Sequence, residues 1–336
     1  MDPETLTTPG GRGAPPEDPP ARATSGWPMT LLSLVLFTLA VGAIYHVCKD
    51  LDVARLVAQL SALSAGQILA ALLLTAGSYA IFTGYDWSGL RYIGARIPYR
   101  TVALAAFCGC AIANTVGANL VSGGSVRYRI YVPAGLSSLD VARITLFGMA
   151  AYGLGNFVIA AAAMLAYPDL IAGFTGLPAT TLHAIGVVGL VAFGAVIAAT
   201  FLRRAPLRLG RLEVPLPTPG LAITQIVLTL TDIVLAGACL YLLLDSPEVP
   251  FLGFLVVYTL ATVAGMVSHV PGGIGVFEGI LLLTFRSLIP TESLAAALLV
   301  YRAIYNLLPL AIATVLLMGR ETWERTRAQR AGARPS

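Results

Sequence analysis

Six charged side chains stand inside or beside apolar segments of this 336-residue chain: Asp86, Arg127, Arg129, Asp232, Glu278 and Arg302. An arginine offers a planar fork that fits phosphate, and a carboxylate can receive an ammonium group or pair with a guanidinium. A charge in an apolar segment is costly enough that it marks a partner or a passing solute. Together these six are a substrate-binding set for an amphiphile carrying phosphate and a cationic group. They are not a catalytic set. The three histidines, His46, His183 and His269, lie in separate segments, and Cys108-x-Cys110 lacks the spacing and companion ligands of a zinc site. No enzyme activity, metal or cofactor is expected.

Each charge also has a plainer role. Asp86 fits an interfacial carboxylate paired with Arg91 as well as a cavity residue. Arg127 and Arg129 are two apart, so on a helix only one of them faces a cavity while the other snorkels or pairs. Asp232 lies ~18 Å along its helix from Gly220, well within hydrocarbon. Arg302 is either a cargo contact or a strut paired with Asp232 or Glu278. His269 is a second-tier candidate, since a lone histidine at a break is more often a hydrogen-bonded structural group.

The elements that position these groups are membrane helices. The chain is 57% hydrophobic and 11% charged, with mean hydropathy +0.81, which no soluble domain approaches. Residues 1–27 are a Pro- and Gly-rich disordered tail, 28–318 a transmembrane transporter-like domain, and 319–336 a basic tail. Apolar runs fall at 28–47, 67–85, 101–121, 144–166, 182–202, 221–244, 251–267, 276–288 and 294–318, with an interfacial helix at 51–60. The four cysteines, Cys48 among them, read as small core residues. The net charge of +4 is spread over segment ends, which marks topology and excludes a nucleic-acid face.

Two stretches interrupt the helical pattern. In His269-Val-Pro-Gly-Gly-Ile-Gly275 the proline removes a donor and Gly272, Gly273 and Gly275 disfavour helix, so 269–275 unwinds and a new helix starts near Val276. Such bare backbone at membrane depth must line protein or water. Ser122-Gly123-Gly124 is the corresponding stretch upstream. Arg91, Arg96 and Arg100 on one side and Arg143 on the other place both flanks inside, so 101–132 folds back as a hairpin at Gly123-Gly124. Arginine-free segments at 168–181 and 245–250 lie outside, and 251–288 is then a hairpin opening outward at Gly272-Gly273. The expected fold is an all-α polytopic membrane protein with inverted repeats and two re-entrant Gly-Gly helical hairpins.

Ser122-Gly-Gly-Ser-Val-Arg-Tyr-Arg-Ile-Tyr-Val-Pro-Ala-Gly-Leu-Ser137 and Val270-Pro-Gly-Gly-Ile-Gly-Val-Phe-Glu278 resemble the paired signatures of the lysylphosphatidylglycerol synthase transmembrane-region family. This is the flippase domain of bacterial multiple peptide resistance factor, together with its stand-alone relatives. The resemblance covers 28–318. It implies translocation of aminoacylated phosphatidylglycerol between leaflets of a bacterial inner membrane, with both termini cytoplasmic. It also implies that Asp86 and Arg127 occupy positions on which flippase activity depends. The chain stops about 18 residues past the last apolar run, which leaves no synthase domain and opens the cargo to other amphiphiles such as isoprenoid-derived lipids. Membrane lipids are the expected partners, with a separately encoded lipid synthase and a homo-oligomer as further options and no nucleic acid. A non-transporting partner of such a synthase is the rival function.

Overall fold

The computed structural model describes residues 53–117, 120–202, 207–209, 212–214, 218–244 and 248–332. The expected first span at 28–47, Cys48 and the N-terminal tail lie outside the described residues. Twelve α-helices carry the described chain, together with one short hairpin in which β1 (Leu207–Leu209) pairs antiparallel with β2 (Leu212–Val214). Among the described residues, six helices are long and apolar enough to cross a membrane.

Helix α1 (Val53–Ala62) is the short amphipathic segment expected before the second span. Helix α2 (Ala65–Ile93) starts at a Ser64/Gln67 capping box and ends at Gly94, whose φ of 73° gives the left-handed turn that stops it. It runs eight residues beyond the expected 67–85 span, because Asp86 and Arg91 sit on helix rather than on a loop. Helices α3 (Tyr99–Val116) and α4 (Ser122–Tyr131) are packed together. Helix α5 (Ser138–Ala166) begins at a second capping box, Ser137 with Asp140. The short α6 (Pro168–Thr175) leads into α7 (Ala179–Leu202), and α8 (Pro219–Leu244) returns to pack extensively along α2.

Helices α9 (Phe251–Val267) and α10 (Val276–Phe285) form a second packed pair. Helix α11 (Thr291–Tyr301) runs into a π-wound turn (Arg302–Leu307) and then α12 (Leu308–Gly332). At ~1.5 Å per residue, the ten-residue α4 and α10 reach only ~15 Å, half of a ~30 Å hydrocarbon layer.

Tyr79, Val102, Ile130, Tyr131 and Ile144 anchor one core among α2 to α5. Phe254, Leu281, Phe285 and Leu294 anchor another among α8 to α11. Small residues set the helix spacing. A methyl group on Gly155 would fall 2.7 Å from Thr229 Cβ, so the backbone of α5 packs directly against the Thr229 side chain of α8.

The second break lies where the residues place it. A single 3-10 turn spans Pro271–Gly273, Gly272 and Gly273 have φ of 61° and 63°, and α10 begins at Val276. The first reversal does not lie at Gly123-Gly124. Both glycines are inside the first turn of α4, and the helix α3 stops at Gly117, with φ 78° and ψ −167°. That conformation is open to glycine and strained for other residues. The Gly123 carbonyl oxygen lies 3.3 Å from where a Gly109 side chain would start, so it is Gly109 that lets α3 and α4 approach closely.

Candidate functional site

The two breaks touch. A Cβ on Gly117 would stand 3.2 Å from Pro271 Cα, and one on Gly272 would stand 2.9 Å from the Thr115 carbonyl oxygen. The C-terminal end of α3 therefore meets the unwound segment between α9 and α10, and only glycine fits either side of the contact. One arginine–carboxylate pair holds the break between α9 and α10, and another joins α4 to α2 about two helical turns from the end of α3.

Asp86, on α2, and Arg127, on α4, form the first pair. Arg127 donates Nε to Oδ1 at 3.0 Å and to Oδ2 at 2.9 Å, and Nη2 to Oδ1 at 2.8 Å. The Tyr131 hydroxyl, one turn on, donates to Oδ2 at 2.9 Å. Asp86 is 3% exposed and Arg127 5%, so both charges are desolvated and stable only through these bonds. Arg127 Nη2 also lies 3.4 Å from Cys110 Sγ. Gly109 makes room, since a side chain there would crowd Arg127 Nη1 at 3.1 Å. Arg91 does not pair with Asp86; its guanidinium stacks over Trp87 at 3.7 Å. Arg129 is exposed on the opposite side of α4.

Glu278 and Arg302 form the second pair, at 2.6 Å from Arg302 Nε to Oε1. Glu278 Oε2 accepts the Gly275 N–H at 2.7 Å, capping the start of α10, and Arg302 Nη1 donates to the Gly272 carbonyl at 2.8 Å. One guanidinium thus holds both the carboxylate and the unwound backbone. These side chains are more open than the first pair, with exposures of 20% for Arg302 and 15% for Glu278.

Asp232 joins neither pair. Ser78 donates to its Oδ1, and Ser78 Oγ lies 2.7 Å from the Tyr305 hydroxyl. His269 is exposed, with φ 56° and its Nδ1 2.7 Å from the Val267 carbonyl. That is a local turn contact, apart from the charged pairs. Sequence reasoning missed Ser78, Tyr131, Tyr305, Asn114 and Asn306. The last of these donates Nδ2 to the Asn114 carbonyl at 3.4 Å, and so ties the π-wound turn to the end of α3. Polar residues within apolar runs were the available signal for all five.

Comparison with known proteins agrees with this arrangement. The sequence profile described as lysylphosphatidylglycerol synthase TM region matches residues 30–313. The chain is 31% identical over 296 residues to protein slr0712 of Synechocystis sp., covering 88% of this chain and 92% of that one. It is 29% identical over 255 residues to inner membrane protein YbhN of Escherichia coli, covering 74% of this chain and 78% of that protein. A 70-residue stretch is 39% identical to phosphatidylglycerol lysyltransferase of Staphylococcus aureus, covering 20% of this chain and 8% of that enzyme. The chain is a multi-pass membrane protein and belongs to the lysylphosphatidylglycerol synthase transmembrane-region family.

Proposed function

We propose that the chain is a flippase-like lipid translocator, moving a phospholipid such as aminoacylated phosphatidylglycerol between leaflets without chemical change. The observation that carries this reading is the contact of two helix breaks in a structure that also holds two arginine–carboxylate pairs, one of them bonded directly to the second break. A lipid phosphate would compete with Asp86 for Arg127. An ammonium group on the same lipid would compete with Arg302 for Glu278. Both pairs are closed here, so each exchange conserves ion pairing while a charge passes.

In this reading α3–α4 and α9–α10 are re-entrant hairpins of two inverted repeats that meet near the midplane. Two facts support it: α4 and α10 are too short to cross, and arginines flank the first hairpin on both sides. In the same reading the arginine distribution favours cytoplasmic termini, and a bacterial inner membrane accords with the name of the Escherichia coli relative.

The test is reconstitution in liposomes carrying a fluorescent phosphatidylglycerol, followed by bleaching of the outer leaflet. A translocator exposes inner-leaflet probe to the bleach. A protein that only docks a separately encoded synthase leaves that probe protected, and so would overturn the proposal.

A further inference from the structure

Asp232 is 1% exposed and has no cationic partner among the described residues. The titratable groups within electrostatic reach of it are Tyr79 and Tyr85 on α2, Cys110 on α3, Tyr152 on α5, Tyr258 on α9 and Tyr305 on the π-wound turn. None carries a positive charge. So placed, Asp232 has neither bulk water nor a counter-ion beside it.

Among the described residues its hydrogen-bonded path runs through Ser78 to Tyr305. The direction of that path depends on protonation. Ionised Asp232 can only accept, so Ser78 donates to it and accepts from the Tyr305 hydroxyl. Protonated Asp232 can donate, and Ser78 then donates onward to Tyr305. Tyr305 belongs to the π-wound turn, whose register Leu308 N–H to Ala303 carbonyl records, and π-wound turns are locally strained insertions in a helix. The same turn carries Arg302, which holds Gly272 and Glu278. It also carries Asn306, which reaches Asn114.

We propose that Asp232 is a proton-binding site whose occupancy is relayed through Ser78 and Tyr305 to this turn, coupling lipid movement to a proton gradient. The proposal rests on the translocator reading for its coupling, and on geometry alone for the proton site.

Two measurements separate these. Infrared difference spectra of the purified protein between acid and alkaline pH should contain a protonated-carboxyl C=O band that disappears in Asp232→Asn. A band that persists in the variant, or none in the wild type, overturns the site whatever the protein transports. In liposomes with a trapped pH dye, wild-type lipid movement should change several-fold with an imposed pH gradient and be accompanied by proton flux. Tyr305→Phe, which keeps the ring stacked on Tyr301, should retain the C=O band and lose that gradient dependence. Wild-type movement indifferent to the gradient overturns the coupling while leaving the translocator reading intact. If the wild type moves no lipid, the coupling falls with that reading, and the spectra alone decide the site.

Discussion

Arg302 Nη1 donates to the backbone carbonyl of Gly272 at 2.8 Å, so a side chain beyond α11 fixes the unwound segment between α9 and α10. The same guanidinium bonds Glu278. The break is therefore held from outside as well as by its own proline and glycines, and removing either partner should loosen it.

Glu278→Gln should lower stability by roughly 2 kcal/mol, below the ~3–5 of a wholly buried pair because these side chains keep some solvent. Lipid movement should be lost even where the fold survives. Thermal unfolding in detergent and transport, read on one preparation, check this. If Glu278→Gln combined with Arg302→Gln transports normally, the pair is a strut and not a site.

Backbone conformation at the contact can be tested separately from crowding. Gly135 has φ 102° with open space around it, whereas Gly272 has φ 61° and the Thr115 carbonyl 2.9 Å from its missing Cβ. Gly135→Ala should cost roughly 1–3 kcal/mol from conformation alone. Gly272→Ala should cost more and also abolish transport. Equal melting shifts for the two variants would mean that the two breaks do not press on each other.

Much of this was legible in the chain. Pro271 lacks a donor and Gly272 and Gly273 accept positive φ, so the second break could be read from residue types alone. Gly123-Gly124 looked equally like a turn, yet both wind into the first turn of α4 and the preceding helix stops at Gly117, which residue types alone do not distinguish. Charges at Asp86, Arg127, Glu278 and Arg302 announced a need for partners. Which pairs with which depends on how α2, α4, α10 and the π-wound turn pack. Polarity alone marked Ser78 and Tyr305, but their contact was beyond reach: they lie 227 residues apart, and winding a π turn leaves no mark in apolar periodicity.

Arg127→Lys keeps a positive charge and discards the fork that makes three contacts with Asp86. Losing one hydrogen bond to a charged group is worth about 1.5–3 kcal/mol, which corresponds to roughly a tenfold or greater fall in rate where the bond acts in transport. Initial rates of lipid movement check this, and a variant as fast as wild type would make Arg127 purely structural.

Topology is open to a direct chemical check. Arg96 and Ser138 are both exposed and flank the α3–α4 pair. Single cysteines at these positions should react with an impermeant maleimide from the same, cytoplasmic side. The described native cysteines, Cys108, Cys110 and Cys239, are buried and contribute little background. Labelling from opposite sides would show that the pair crosses the membrane and is not re-entrant.

The central claim is that the touching breaks and their two ion pairs carry lipid across the membrane, and leaflet exchange of a fluorescent phosphatidylglycerol in liposomes tests it most directly. Wild-type protein should let the bleach consume inner-leaflet probe as well as outer, while Arg127→Lys should do so at least about tenfold more slowly and Glu278→Gln should leave the inner half protected, both folded and inserted to the same extent. Wild-type vesicles that bleach no further than protein-free ones, or variants that bleach as fast as wild type, would contradict it.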